Sequence, residues 1–203
     1  ISHGGVSLSL TGNWINNGSY SATSTNSNVL FAGTAQSLQG SNVTTFRKLT
    51  VNAGSTTTLN TNVTLSGASS TLYVKGTLDP GDSPTYKITG LAMTTYINAK
   101  LKIKGATFAD NYTMSGTVTF NAGSTAEYGS ISTDQIVNSS YTYSTLIISG
   151  SGIKSLTANL PSLRSTAATY GNIYVNAGTF DLSSFTANRG TSTSGGTISV
   201  ANG

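Results

Sequence analysis

V-N-A-G-S-T, residues 51–56, returns as F-N-A-G-S-T at residues 120–125 and as V-N-A-G-T at residues 175–179. In each copy a hydrophobic residue precedes Asn, Ala and Gly, and no side chain is suited to catalysis or to tight metal binding. Glycine takes the positive φ of a sharp corner at no steric cost, and Asn tolerates the same conformation. The motif therefore predicts a corner that follows a strand and recurs along the chain.

Hydrophobic residues in this context recur at intervals of 20 to 28 residues. Hydrophobic-x-hydrophobic triplets that precede small residues give nine units, which end at Leu10, Phe31, Val51, Val74, Ile97, Phe120, Ile148, Val175 and Val200. Leu101-x-Ile103 offers a competing register for the fifth unit. Repeats of this length without helical periodicity are typical of a β-solenoid, in which each coil buries its apolar face only against its neighbours.

The repeat predicts an all-β fold, specifically a right-handed parallel β-helix (β-solenoid) of about nine coils. At about 4.8 Å for each stacked strand, this solenoid would be roughly 40 Å long. We expect residues 1–203 to form a single β-solenoid domain and to be an internal fragment of a much longer chain. Two β-sandwiches are the structural alternative, but repeated Asn-Gly or Asp-Gly hairpin signals between matched strands are missing.

The same motif predicts the structural corner residues. Gly54, Gly123 and Gly178 would supply the positive φ. Stacked coils would place four Asn residues at equivalent corners, where their amides could hydrogen-bond to one another or to the backbone. These are Asn52, Asn98, Asn121 and Asn176, and a binding role for them is the alternative.

The amino-acid composition limits the kinds of site and partner that the chain could have. Charged residues make up 8% of the chain, against about 25% in ordinary proteins. Cysteine is absent, which excludes disulfides and thiolate metal sites. The net charge of +4 comes without a run of Lys or Arg, which argues against a nucleic-acid partner. No apolar run is long enough to predict membrane insertion.

Catalytic groups are scarce. The chain has six acidic residues and one histidine, His3. Asp110 and Asp134 are separated by about one coil, and Glu127 has no acidic partner at such a spacing. Asp79-Pro80-Gly81-Asp82 is predicted to form a turn. The alternative is a calcium site, which would have only two carboxylates and some carbonyls as ligands. We therefore predict that the chain is not an enzyme and has no catalytic residue, no cofactor and no metal site.

Outward-facing positions suggest where a ligand could bind. The middle residues of the triplets point away from the core, and three of them are Tyr73, Tyr96 and Tyr174. An exposed aromatic ring offers a flat face to a sugar, so these tyrosines form the candidate glycan-binding site, with cross-strand stacking as the structural alternative. Three lysines alternate along residues 100–104, either as a solvated stripe or as a contact for an acidic polysaccharide.

Four segments carry a resemblance to a known family. They are G-N-W-I-N-N-G-S-Y (residues 12–20), T-T-F-R-K-L-T-V (44–51), T-Y-S-T-L-I-I-S-G-S-G-I-K-S-L-T (142–157) and G-T-F-D-L-S-S-F-T-A-N-R (178–189). Together they resemble the repeat regions of very large secreted surface proteins of Bacteroidetes, which include gliding and adhesion proteins and are typically exported by the type IX secretion system. The resemblance transfers no ligand-binding or catalytic residue, and the family's C-terminal sorting domain is missing here.

Sequence and resemblance together favour a structural and adhesive segment, a stalk or fibre, of an extracellular protein on the bacterial cell surface. The expected partners are polysaccharides, cell or solid surfaces, and neighbouring repeats of the same chain or other copies placed end to end. The alternatives are a carbohydrate-binding or polysaccharide-cleaving β-helix and a self-assembling extracellular fibre subunit.

Overall fold

The computed structural model describes residues 5–22, 24–82, 85–164, 170–188 and 196–201. This part of the chain contains short strands and one four-residue helix, α1 (Phe108–Asn111). The first strands are β1 (Ser7–Leu10), β2 (Trp14–Ile15), β3 (Asn28–Phe31), β4 (Ala35–Gln39), β5 (Thr44–Phe46), β6 (Lys48–Val51), β7 (Thr56–Leu59), β8 (Val63–Leu65), β9 (Thr71–Val74), β10 (Thr77–Asp79) and β11 (Ile88–Gly90). The remaining strands are β12 (Ala92–Thr95), β13 (Lys100–Ile103), β14 (Tyr112–Met114), β15 (Val118–Phe120), β16 (Thr125–Tyr128), β17 (Gln135–Ile136), β18 (Thr145–Ile148), β19 (Ile153–Ser155), β20 (Asn172–Val175), β21 (Thr179–Asp181) and β22 (Ile198–Val200).

The strands form four parallel sheets, in which each strand pairs with a strand of the next coil. Sheet A has the order β1-β3-β6-β9-β12-β15, sheet B β2-β4-β7-β10-β13-β16-β18-β20-β22, sheet C β14-β11-β8-β5 and sheet D β17-β19-β21. This arrangement is a β-solenoid of about eight turns, so the predicted fold class is confirmed. The sequence predicted about nine coils because it contains nine repeat units. Sheet B has nine stacked strands, and these enclose eight complete turns.

The cross-section of the solenoid changes along its length. The first coils run from sheet B to sheet C to sheet A, as β7, β8 and β9 do. From β16 onward the chain alternates between sheets B and D, because sheet C ends at β14 and sheet A ends at β15. Sheet B is therefore the continuous side of the solenoid.

Apolar side chains stack in register to form the core. Val29, Leu49 and Leu72 follow one another through β3, β6 and β9, and all three are fully buried. Successive residues of a strand point to opposite faces, so every second residue reaches the interior. Burial of such a side chain contributes about 1.5–3 kcal/mol. Each coil thus depends on its neighbours to cover its apolar face.

Two buried tyrosines close the interior where sheet A ends. The Tyr128 and Tyr143 hydroxyls lie 2.9 Å apart, the Tyr143 hydroxyl donates to the Asn138 carbonyl at 2.8 Å, and the Asn138 N–H donates to the Tyr128 hydroxyl at 2.9 Å. The Tyr143 ring also packs on Phe120 in β15, with 5.0 Å between centroids. Burial raises the pKa of Tyr128 to about 12 and that of Tyr143 well above its ordinary value. This ring of hydrogen bonds fixes the segment that replaces sheet A.

The predicted alignment of the last three anchors is wrong. Ile148, Val175 and Val200 lie in sheet B, in register with Tyr128 rather than with Phe120 of sheet A. The apolar alternation is the same in any strand that leads into a corner, so the local pattern does not distinguish one sheet from another.

The unit anchored at Ile97 is shifted by two residues. Thr95 stands in register with Phe120, whereas Ile97 lies beyond the strand and is 54% exposed. The competing triplet, Leu101-x-Ile103, belongs to β13 in sheet B. The inward residue that ends this strand of sheet A is Thr95. Neither candidate register identified it, because both required a hydrophobic residue at that position.

Three corners from sheet A to sheet B share one backbone geometry. The Ser55, Ala99 and Ser124 N–H groups donate at 3.1 Å to the carbonyls of Asn52, Tyr96 and Asn121, respectively. Gly54 and Gly123 have φ of +78°, and Asn98 occupies the same position with φ of +63°. Asn98 therefore replaces a corner glycine and is not equivalent to Asn52 or Asn121.

A different corner contains the last predicted Asn. Asn176 and Gly178 follow β20 and lead into sheet D, and Gly178 has φ of +70°. The four predicted Asn residues thus occupy three kinds of position. The proposed ladder of four equivalent amides is wrong for that reason.

Candidate functional site

The outward side of sheet A carries a cluster of two tyrosines and a lysine, which we call the tyrosine face: Tyr73, Lys75 and Tyr96. The Tyr73 and Tyr96 ring centroids are 6.3 Å apart, with 56° between the ring planes. The Lys75 Nζ lies 5.2 Å from the centroid of the Tyr96 ring. The rings are half-buried and Lys75 is exposed, so the cluster is open to a ligand.

Strand alternation and register together build the tyrosine face. In β9, Leu72 and Val74 are fully buried, so Tyr73 between them points outward. Val74 pairs with Thr95, which places Lys75 and Tyr96 side by side just beyond the strands. Tyr73 and Tyr96 are therefore diagonal neighbours on adjacent coils, within reach of each other's rings.

Tyr174 does not join this cluster. It lies on β20 in sheet B, in register with Ile147 on one side and Ser199 on the other. Sheet A ends before this coil, so the outward direction at Tyr174 belongs to another side of the solenoid. Two of the three predicted site tyrosines are brought together and the third is not.

The lysine stripe on sheet B is paired with acids from neighbouring coils. The three ion pairs are Lys100–Glu127 at 2.8 Å, Lys102–Asp79 at 2.7 Å and Lys104–Asp82 at 2.7 Å. Burial alone would lower the pKa of Lys102, but the hydrogen bond and charge of Asp79 raise it. Burial alone would raise the pKa of Glu127, but Lys100 and Ser149 lower it. The stripe is therefore an ionic ladder with its charge compensated.

The other three acids hold the backbone in place. The Asp110 carboxylate accepts from the Thr107 N–H at 2.8 Å, Asp134 from the Ile153 N–H at 2.7 Å, and Asp181 from the Ser183 N–H at 2.8 Å. All six acids of the chain are thus engaged in ion pairs or structural hydrogen bonds. The described residues contain no group of three His, Cys, Asp or Glu side chains that could hold a metal ion, and His3 lies outside them.

Asp79 and Asp82 also lack the arrangement of a calcium site. Each carboxylate bonds to a lysine, and Asp79 Oδ1 accepts from the Gly81 N–H at 3.0 Å. A calcium ion needs six to eight oxygen ligands, and here the carboxylates face ammonium groups instead. The turn interpretation fits this geometry better than the calcium interpretation.

Polar side chains inside the solenoid clamp successive coils, and sequence reasoning missed them. The Gln135 amide donates to the Ile103 and Gly105 carbonyls at 3.0 and 2.7 Å, and its oxygen accepts from the Ser130 N–H at 2.9 Å. Gln36 bridges Leu10 and Gly12 of the preceding coil and accepts from the Gly33 N–H in the same way. A polar residue at an inward position of a strand is the signal that could have revealed them.

Lys154 stacks directly on Gln135 and takes over its role. The two residues are in register, and Lys154 is fully buried. Its ammonium donates to the carbonyls of Ser130 and Ser151. Burial lowers the pKa of Lys154, and the nearby Asp134 carboxylate opposes that shift. These contacts are all structural, so Lys154 holds the coil stack together.

A cavity lies beside the edge strand β2. Its volume is about 560 Å³, and the lining residues are 13–20. Trp14 in this wall donates its indole N–H to the Thr44 hydroxyl at 3.0 Å and packs edge-on against Tyr20. The residues that line this cavity include no Asp, Glu, His, Lys or Arg.

Comparison of the chain with protein-family models, with curated proteins and with solved structures found no match. No helix in the described ranges is long and apolar enough to cross a membrane. Fold, ion pairs and the tyrosine face are therefore the basis for a functional assignment.

Proposed function

We propose that this chain is a structural and adhesive segment, a stalk or fibre, of an extracellular cell-surface protein. The observation that carries the proposal is the engagement of all six acids in structural contacts along a continuous solenoid core. General acid–base chemistry needs positioned carboxyl or imidazole groups that are free to exchange a proton. A solenoid whose charged groups hold its coils together is suited to act as a spacer and as a contact surface.

The tyrosine face supports the adhesive part of the proposal. Half-buried aromatic rings are held in place by their own packing, so they can stack on a sugar at a small entropic cost. Polysaccharides and cell or solid surfaces are the partners that fit such a face. Edge strands such as β1, which pairs only with β3 among the described strands, suit contact with neighbouring repeats or other copies.

Polysaccharide cleavage is the competing function. Glycosidases use two carboxyl groups on either side of the scissile bond. Asp79 of β10 and Glu127 of β16 lie two coils apart, and each pairs with a lysine of β13, the strand between them. Carbohydrate binding without cleavage therefore fits the arrangement better.

The test is retention of the purified chain on a panel of immobilised polysaccharides, with reducing ends and unsaturated uronates measured in the same samples. We expect retention on at least one polysaccharide without product formation. The Tyr73→Ala/Tyr96→Ala variant should lose at least tenfold in affinity, because both stacking surfaces are gone, while Tyr174→Ala should bind as the native chain does. Product that accumulates with time, or no retention on any surface, would contradict the proposal.

A further inference from the structure

We propose that the tyrosine face is selective for anionic glycans, with Lys48 and Lys75 as the cations that contact uronate carboxylates. This inference rests on the proposed adhesive function and narrows its ligand class. It comes from the way in which the fold distributes charge between its sides.

Charge is segregated between sheets A and B. The three lysines of the sheet B ladder all pair with carboxylates within 2.8 Å. On sheet A, neither Lys48 nor Lys75 has a carboxylate partner among the described residues. The other acids accept hydrogen bonds from Thr107, Ile153 and Ser183, none of which belongs to a strand of sheet A. Sheet A therefore presents uncompensated positive charge, and sheet B does not.

The two lysines flank the aromatic rings. Lys48 of β6 is in register with Thr71, two residues before Tyr73, and Lys75 lies two residues after it. At about 3.3 Å per residue and 4.8 Å per strand, the Cα atoms of the two lysines stand roughly 14 Å apart along the face. Tyr73 lies between them. An oligosaccharide lying along β9 would therefore meet a cation, an aromatic ring and a second cation in turn.

The position of Lys75 is set by the Tyr96 ring. Its ammonium lies 5.2 Å from the ring centroid, a distance at which the ring quadrupole attracts a cation. That contact keeps the charge beside the stacking surface and out of an ion pair. A carboxylate on a bound sugar would meet a cation already in place, so little conformational entropy is lost on binding. A neutral sugar could stack on the rings but would leave both lysines unused.

The experiment compares hexagalacturonate with its fully methyl-esterified form by isothermal titration calorimetry. The two probes share the same sugar rings and differ in charge. We expect the native chain to bind the acid form at least tenfold more tightly than the ester. The Lys48→Met/Lys75→Met variant should lose this preference and keep its affinity for the ester. Tyr73→Ala/Tyr96→Ala should bind both forms more weakly.

Lys87→Met is the control, because it removes a positive charge beside sheet C, on another side of the solenoid. It should keep the preference of the native chain, and urea unfolding should show every variant to be folded. Equal affinity for acid and ester would overturn the inference and leave the adhesive function standing. A similar loss of preference in Lys87→Met would also overturn it, because net charge alone would then explain the selectivity. Absence of binding to either probe would overturn it as well, and the polysaccharide panel would then decide separately on the adhesive function.

Discussion

Replacement of Gln135 by Met should lower the free energy of unfolding by about 2 kcal/mol or more, because three buried backbone groups lose a hydrogen bond and two of them are left unpaired, at about 1–3 kcal/mol each. Those groups are the carbonyls of Ile103 and Gly105 and the N–H of Ser130, of which only the Ile103 carbonyl keeps another donor, the Gly129 N–H. Methionine has nearly the length of glutamine, so the change removes hydrogen bonds and creates little empty space. Urea unfolding at neutral pH, followed by circular dichroism, measures the effect.

Gln39→Met is the control for this prediction. Gln39 lies at the end of β4, opposite the exposed Ile15, and faces outward. Its replacement should change the free energy of unfolding by no more than about 0.5 kcal/mol, as is usual for surface positions. If Gln135→Met were as stable as Gln39→Met, the interior clamp would contribute nothing to the cohesion of the coils.

Stability should fall steeply as the pH rises above about 10, because buried tyrosines resist ionisation. The pKa of Tyr128 is raised to about 12 by burial, and those of Tyr112 and Tyr143 are also raised well above 10 by burial. The stabilisation linked to a raised pKa is fully present below the unfolded value, about 10, and is lost as the pH rises through the folded value. For Tyr128 alone, the difference between a pKa of about 10 in the unfolded chain and about 12 in the folded chain corresponds to about 3 kcal/mol.

Urea unfolding between pH 8 and pH 12 tests this dependence on pH. The Tyr128→Phe/Tyr143→Phe variant should be less stable than the native chain at pH 8, because the ring of hydrogen bonds with Asn138 is gone. It should also lose less stability between pH 10 and pH 12, because two ionisable groups have been removed. Tyr174→Phe should keep the native slope. An equal slope in all three proteins would show that these two tyrosines are not protected by burial.

The sequence was sufficient to predict the class of fold, because strands with alternating apolar residues and corners with glycine recur along the chain. It was not sufficient for the register. Thr95 occupies an inward position that a hydrophobic pattern assigns to an apolar residue, and Ile97 lies exposed beside it. Asn98 could be recognised as a corner residue, but its equivalence to a glycine follows only from φ.

Sheet D reverses the expected pattern of polar and apolar residues. Gln135 and Lys154 face the interior, while Ile136 and Ile153 are 41% and 45% exposed. Hydrophobicity alone would place the isoleucines inside. The polar pair is favoured because the corner leaves backbone carbonyls that need donors, and an unpaired buried carbonyl is costly. This demand arises from contacts between coils, which no single repeat reveals.

The same limit applies to the candidate site. The alternation of apolar and polar residues correctly predicted that Tyr73 points outward. It also assigned Tyr174 to the same face, because nothing in the local sequence shows that sheet A ends after β15. The partners of the lysine stripe were missed because Asp79 and Glu127 lie on other coils, and coil lengths vary. Lys75 could have been found from its spacing, since residues 73 and 75 share one face of a strand.

We propose that the outward side of sheet A makes the contact with the ligand and that the ligand is bound without being cleaved. Backbone amide NMR shifts, recorded as hexagalacturonate is added to the isotope-labelled chain, test it most directly. We expect shift changes confined to β9, β12 and their outward neighbours, centred on Tyr73, Lys75 and Tyr96, with the probe intact after the titration. Changes centred on the sheet B ion pairs around Glu127, or cleavage of the probe, would contradict it.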